Sequence, residues 1–174
     1  NYSDAGGGVA FHPAMVWFAK QTQKPELLYT EINTIQDWKK SDNDRLLPMA
    51  MVWGSGISLA SHEAPKDLMY IGAGKNPVAM MQSSWTDPNA LYVGVKAGSP
   101  SVNHGHMDVG SFVFDALGER WAMDFGMQDY ESLESKGVKL WGSQQNSERW
   151  DVFRYNNLAH NTLTMNQAYQ QVNG

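Results

Sequence analysis

The sequence predicts an α+β protein in which a few N-terminal helices lead into, and pack against, an antiparallel β-sandwich. Three observations carry this expectation. Apolar residues recur every three to four positions over the first third; near Lys66 the pattern changes to short β-rich runs; and Gly, Pro, Asn and Asp separate those runs. Residues 1–65 are therefore assigned as a helical segment, and 66–174 as the first part of a sandwich domain.

Residues 11–21 set Phe11, Met15 and Phe18 on one side of a helix, after the Gly6-Gly7-Gly8 opening and with Pro13 suited to a first turn. A second helix is expected over 26–39, following Pro25, with Leu28, Ile32 and Ile35 on one face and Trp38 beside them. A third, over 46–53, ends at Gly54-Ser55-Gly56. Three helices are too few for a bundle of their own, so they read as the end of a larger helical domain. Strands are expected over 68–71, 78–83, 91–96, 110–116, 120–125, 152–155 and 161–165, with Asp87-Pro88-Asn89 and Leu117-Gly118 as hairpin turns. Residues 131–148, polar apart from Leu133, Val138, Leu140 and Trp141, read as one long loop of the kind that often carries function.

Composition narrows the partners. A net charge of −5 with scattered Lys and Arg offers no basic footprint for nucleic acid. No apolar run approaches the roughly eighteen residues of a membrane span, so no membrane partner is expected. Asn1-Tyr2-Ser3-Asp4 is not a signal peptide, and without an initiator Met the chain is expected to be a mature or trimmed fragment. Cysteine is absent, so any transition-metal site must use His and carboxylate. Seven Trp and seven Tyr beside abundant Asn, Gln and Ser suit sugar stacking, although core packing uses the same aromatics.

The chemistry concentrates in three places. In Asn103-His104-Gly105-His106-Met107-Asp108-Val109-Gly110 two imidazoles flank a glycine that permits a sharp backbone turn. In Trp121-Ala122-Met123-Asp124-Phe125-Gly126 a carboxylate lies inside an apolar run, where its desolvation must be offset by a cation or by hydrogen bonds. His160 opens a further run, Asn161-Thr162-Leu163. Two neutral imidazoles and a carboxylate make a normal tetrahedral zinc set with water in the fourth position. Each His could equally satisfy a backbone carbonyl or cap a loop. His12 and His62, outside any motif, read as ordinary surface or cap residues.

Asn103 to Phe112, then Arg120 to Gly126, then His160 to Leu163, resemble in order, interval and flanking residues the C-terminal region of heparinase II/III-like polysaccharide lyases. The resemblance spans residues 93–165 and is weak in the helical part. It implies an incomplete α/α toroid, of which residues 1–65 are the remnant, ahead of the sandwich. It also implies that His104 is the active-site His, that His106, Asp124 and His160 ligate zinc, and that Arg154 and Tyr155 contact substrate, Arg154 through a sugar carboxylate. The implied reaction is β-elimination on an acidic polysaccharide such as a glycosaminoglycan or alginate, in a periplasmic or secreted setting. The toroid segments that carry the family's catalytic Tyr and its carboxylate-neutralising Asn or His have no counterpart in this chain. Tyr2-Ser3-Asp4-Ala5-Gly6 resembles only a late toroid loop. The chain alone is therefore expected to be inactive, with the toroid of the same protein as its partner.

Two other readings fit the residues. His106, Asp108 and His160 match the two-His, one-carboxylate triad of non-haem iron oxygenases, although no Arg or Lys follows His160 to bind an oxo-acid co-substrate. Alternatively, the sandwich is a metal-stabilised carbohydrate-binding module, with Trp85, Trp141 and Trp150 as the aromatics to examine.

Overall fold

A computed structural model of the chain describes residues 2–3, 10–35, 44–58 and 63–173. Trp38 and the remainder of the second expected helix, the Gly6 to Gly8 opening, most of the Tyr2 to Gly6 segment and His62 lie outside the described residues. Two compact units are present, Gly8–Asp67 and a second made of Asn1–Gly7 with Leu68–Gly174. The class is α+β as expected, with helices first and one antiparallel sheet after them.

The first unit holds α1 (Pro13–Thr22), α2 (Glu31–Ile35) and α3 (Leu47–Trp53). Proline in the first turn starts α1 and α3, where a missing N–H leaves no helical bond unmade. Gln23, at φ 55, turns the chain out of α1 in the left-handed region. The buried side of α1 is Val16 and Ala19, packed with Phe11, Leu28 and Ala50, whereas the expected Phe18 is exposed, edge-on to Trp17. The stretch from Glu26 is not one continuous helix. Leu27 and Tyr29 make three-residue bonds to Lys24 and Glu26, so Pro25–Leu28 closes as a 3-10 turn before α2 begins. His12 is exposed at the N-cap position of α1, where Glu31 accepts its backbone N–H and pairs with its ring Nδ1.

The second unit is built on a five-stranded antiparallel meander: β1 (Met69–Gly72), β2 (Val78–Gln82), β3 (Tyr92–Lys96), β4 (Phe112–Ala116) and β5 (Glu119–Ala122), in that spatial order. Leu117 and Gly118, both at positive φ, make the two-residue β4–β5 turn whose twist suits a hairpin. The pairing register places Met69, Ile71, Ala79, Met81, Val93 and Val95 on one face with Phe112 and Phe114. These residues are all apolar, and Met69, Ile71, Met81 and Phe112 are exposed among them; the inner face of a sandwich has this composition. The opposite face carries buried Gly94, Lys96 and Val113 and supports the candidate site.

Two expected strands do not form. Residues 152–155 and the stretch after them make 3-10 turns, Phe153–Tyr155 and Asn157–Ala159, and 161–165 is irregular. Asparagine side chains stand in for a strand partner here. Asn156 accepts from Leu158 N and donates to the carbonyls of Trp150 and Val152, while Asn161 donates to those of Phe112 and Met123. The expected loop of 131–148 begins instead as α4 (Tyr130–Glu134), capped by Asp129 accepting from Ser132 N, and leads into a 3-10 turn, Glu148–Asp151, capped by Ser147. These segments close over a second core of Met107, Leu140, Trp150, Tyr155 and Val172.

Candidate metal and active site

The segment between β3 and β4 is pinned at its far end, where Gly110 N donates to Lys96 O and Lys96 N donates to Ser111 O. At its centre lies Gly105, where a Cβ would come within 2.6 Å of Pro100 O and 2.8 Å of Val102 O. Only glycine fits, which is why the two imidazoles of the motif can flank so sharp a turn. Its carbonyl accepts from buried Arg149 through Nη2 at 3.0 Å and Nε at 3.3 Å. The same guanidinium donates to Leu140 O and lies 4.3 Å from the centre of the Tyr155 ring. Sequence reasoning missed Arg149; the only signal was a basic residue next to Trp150, at the end of a polar stretch, 142–149, whose one other charge is Glu148.

His106 is fully buried, with its ring 4.5 Å from that of Tyr155 and 5.5 Å from that of His160. Asp124 follows β5 and is also buried. Its Oδ1 accepts from Gly126 N at 2.9 Å, and its Oδ2 lies 2.7 Å from His160 Nδ1. Burial alone would push the Asp124 carboxyl up. The hydrogen bonds from His160 and Gly126, with the charges of His160 and His106, outweigh it and hold the group below the ordinary carboxylate value. The structure thus brings His106, Asp124 and His160 together.

Zinc suits this donor set chemically. His160 Nε2 is buried with no hydrogen-bond partner, and with Nδ1 facing Asp124 it carries the lone pair a metal would take. Asp124 stands where a carboxylate either ligates or orients a ligating imidazole. In the arrangement observed the contacts are hydrogen bonds, and among the described residues no three His, Asp or Glu side chains form a ready cation cage. His106, Asp124 and His160 remain the residues that would hold the ion.

Asp108, the carboxylate of the oxygenase alternative, is engaged elsewhere. It is fully buried, with Oδ1 paired to the Lys96 ammonium and Oδ2 accepting from Ser3 Oγ at 3.2 Å. Tyr2 lies nearby, its hydroxyl donating to Gly94 O. Burial pushes the Tyr2 phenol up to about 12; a backbone hydrogen bond at Val113 offsets part of this, and the charges of Tyr92, Asp124 and Asp108 add to it.

His104 is exposed at φ 58, with Nδ1 2.7 Å from the Tyr130 hydroxyl and its ring nearly parallel to that of Tyr130. The two expected substrate contacts fare differently. Arg154 donates through Nη1 to the carbonyls of Phe125 and Met127, both at 3.0 Å, and so braces the exit from β5. Tyr155 is 0% exposed, its hydroxyl donates to Gln128 O and its ring backs His106, so it lies in the floor of the cluster. Of the aromatics considered for glycan contact, Trp150 is buried with its N–H on Gln144 O, and Trp141 is exposed.

No curated protein matches the chain. The family described as Heparinase II/III-like, C-terminal matches residues 78–171, just over half of the sequence, from β2 to beyond His160 and including every residue of the cluster. With Asn103 to Gly110 turning about Gly105, Asp124 leaving β5 and His160 closing on it, the chain belongs to the heparinase II/III-like family, of which it carries the C-terminal region.

Proposed function

We propose that this chain is part of a polysaccharide lyase that cleaves uronic-acid glycans by β-elimination, with the His104 surface as one wall of its cleft. The observation that carries this reading is the juxtaposition of an exposed imidazole, His104, with the buried cluster of His106, Asp124 and His160 two residues further along the same turn. In the reaction a base removes the C5 proton, the electron pair forms the C4=C5 double bond, and the C4–O bond breaks with the oxygen leaving protonated. The C5 proton is weakly acidic beside an anionic carboxylate, so stabilising that charge and placing the base supply most of the rate. His104 either donates a hydrogen bond to the carboxylate or carries a proton, with the Tyr130 hydroxyl held at its Nδ1. Arg154 would contact a carboxylate only through the guanidinium nitrogens that do not brace the β5 exit.

Zinc, when bound by His106, Asp124 and His160, would supply a fixed positive charge that ties three distant segments together beneath the turn. A uronate polymer as substrate places the protein in the periplasm or outside the cell. The metal assignment is tested by zinc content after equilibration and dialysis. One zinc per chain is expected, with affinity falling at least about 10- to 100-fold in Asp124→Asn and further in His160→Ala. A site that takes ferrous iron in preference to zinc and survives Asp124→Asn would transfer the reading to the oxygenase.

A further inference from the structure

Beside His104 the surface continues through Tyr130 to an aromatic that the cleavage chemistry does not use, Trp141. Tyr130, whose hydroxyl meets His104, packs edge-to-face with Trp141 at a centroid separation of 5.1 Å. Trp141 is 65% exposed, yet it is not loose: its indole N–H donates to Glu134 Oε1 at 2.8 Å, and the preceding residue, Leu140, is buried in the second core with its carbonyl on Arg149. Immediately after it, Gly142 makes a turn so close that a Cβ would lie 2.5 Å from Ser147 Oγ. A large aromatic held at both ends and still left in water has already lost the freedom that a flexible side chain would lose on binding.

We propose that Trp141 and Tyr130 form a sugar-stacking subsite leading away from His104, which takes a pyranose ring of the acidic polysaccharide outside the unit being cleaved. The C–H face of a sugar ring suits an indole whose N–H is already satisfied, and a ring seated there would set the register of the polymer relative to His104. Glu134, fixed at the indole N–H, excludes a second anionic group at that position, so the ring stacked there presents its apolar face and turns its carboxylate or sulfate away. The inference rests on the lyase reading.

The test follows the Trp141 indole N–H resonance of the 174-residue chain by nitrogen-15 NMR while alginate or heparan sulfate hexasaccharide is added, alongside a disaccharide of each. The hexasaccharide is expected to shift that resonance, and Trp141→Ala to weaken binding about tenfold, while Trp141→Phe, which keeps a stacking face, stays within about threefold of the wild type. The disaccharide is expected to perturb resonances around His104 and leave Trp141 unmoved. If the hexasaccharide perturbs the His104 turn with Trp141 still, and Trp141→Ala binds as tightly as the wild type, the subsite is overturned and the lyase reading stands. If no acidic oligosaccharide perturbs either region, both are overturned.

Discussion

A lysine ammonium enclosed with a fully buried carboxylate is tolerable only while both are present, and Lys96 with Asp108 is such a pair at the end of β3. Lys96→Met would leave Asp108 charged and buried with, among the described residues, only Ser3 Oγ to support its side chain, so a loss of about 3–5 kcal/mol is expected in urea unfolding. Adding Asp108→Leu should recover part of that loss; no recovery would mean that the pair matters through packing. The pair also explains why Asp108 could be read from sequence as an iron ligand. The acid is visible in the motif, but its partner sits on a strand whose alternation gives no sign that its last residue points inward. Asp115 was less informative in sequence and is simpler in structure. Arg120 donates to both its oxygens, at 2.6 and 2.7 Å, and this hydrogen bonding holds the carboxyl below its ordinary value of 3.8 against a smaller opposing effect of burial. A depressed pKa contributes stability that is present above the unfolded value and is lost as pH falls through the folded one. Asp115→Asn is thus expected to lower stability near neutrality by no more than about 1 kcal/mol, because the pair is exposed to screening, with the difference shrinking as acid protonates Asp115.

Among the elements, those set by local pattern were legible and those set by side-chain contacts were not. All five strands of the meander fall close to where alternation and turn residues place them, because β1–β2, β2–β3 and β4–β5 close through local turn chemistry; the long segment 97–111 between β3 and β4 is the exception. Residues 152–165 carry a similar apolar content, but Asn156 and Asn161 bond to backbone groups that a strand would need, and those partners lie as far off as Phe112. The turn about Gly105 was legible as a turn, since two histidines flank a glycine, but its clamp by Arg149 came from forty-four residues away. Gly105→Ala tests that element. Its new Cβ would meet two carbonyl oxygens of a backbone that cannot give way easily, so a destabilisation of about 1–3 kcal/mol is expected. Because the strain falls between His104 and His106, zinc affinity should drop with it. Unchanged zinc affinity in a folded Gly105→Ala protein would show that the cluster does not depend on the turn.

At the scale of the molecule, the candidate site was legible as three separated blocks, and the fold adds their convergence; whether catalysis is complete within it depends on the proton acceptor. A tyrosine serving as base must lose its proton readily, and the tyrosines around the cluster are placed against this. Burial pushes Tyr2 up to about 12 and also raises Tyr92, while Tyr155 is enclosed with its hydroxyl on Gln128 O. Tyr130 reaches His104, but its hydroxyl is committed to Nδ1. The carboxylate of a substrate would also need neutralising, and Arg149 is turned inward onto Gly105 and Leu140 while Arg154 braces the β5 exit. Groups that act as a unit lose nearly all of their rate when one is absent, and loss of an oriented base alone costs about 10² to 10⁴-fold. The chain alone is therefore expected to bind acidic oligosaccharides without depolymerising alginate, heparan sulfate or chondroitin, as followed by the ultraviolet absorbance of the unsaturated uronate product. Steady product formation by the chain alone, abolished in Tyr130→Phe and retained in Tyr2→Phe, would place the base within this chain at Tyr130 and make the His104 to Tyr130 hydrogen bond the route by which the proton leaves.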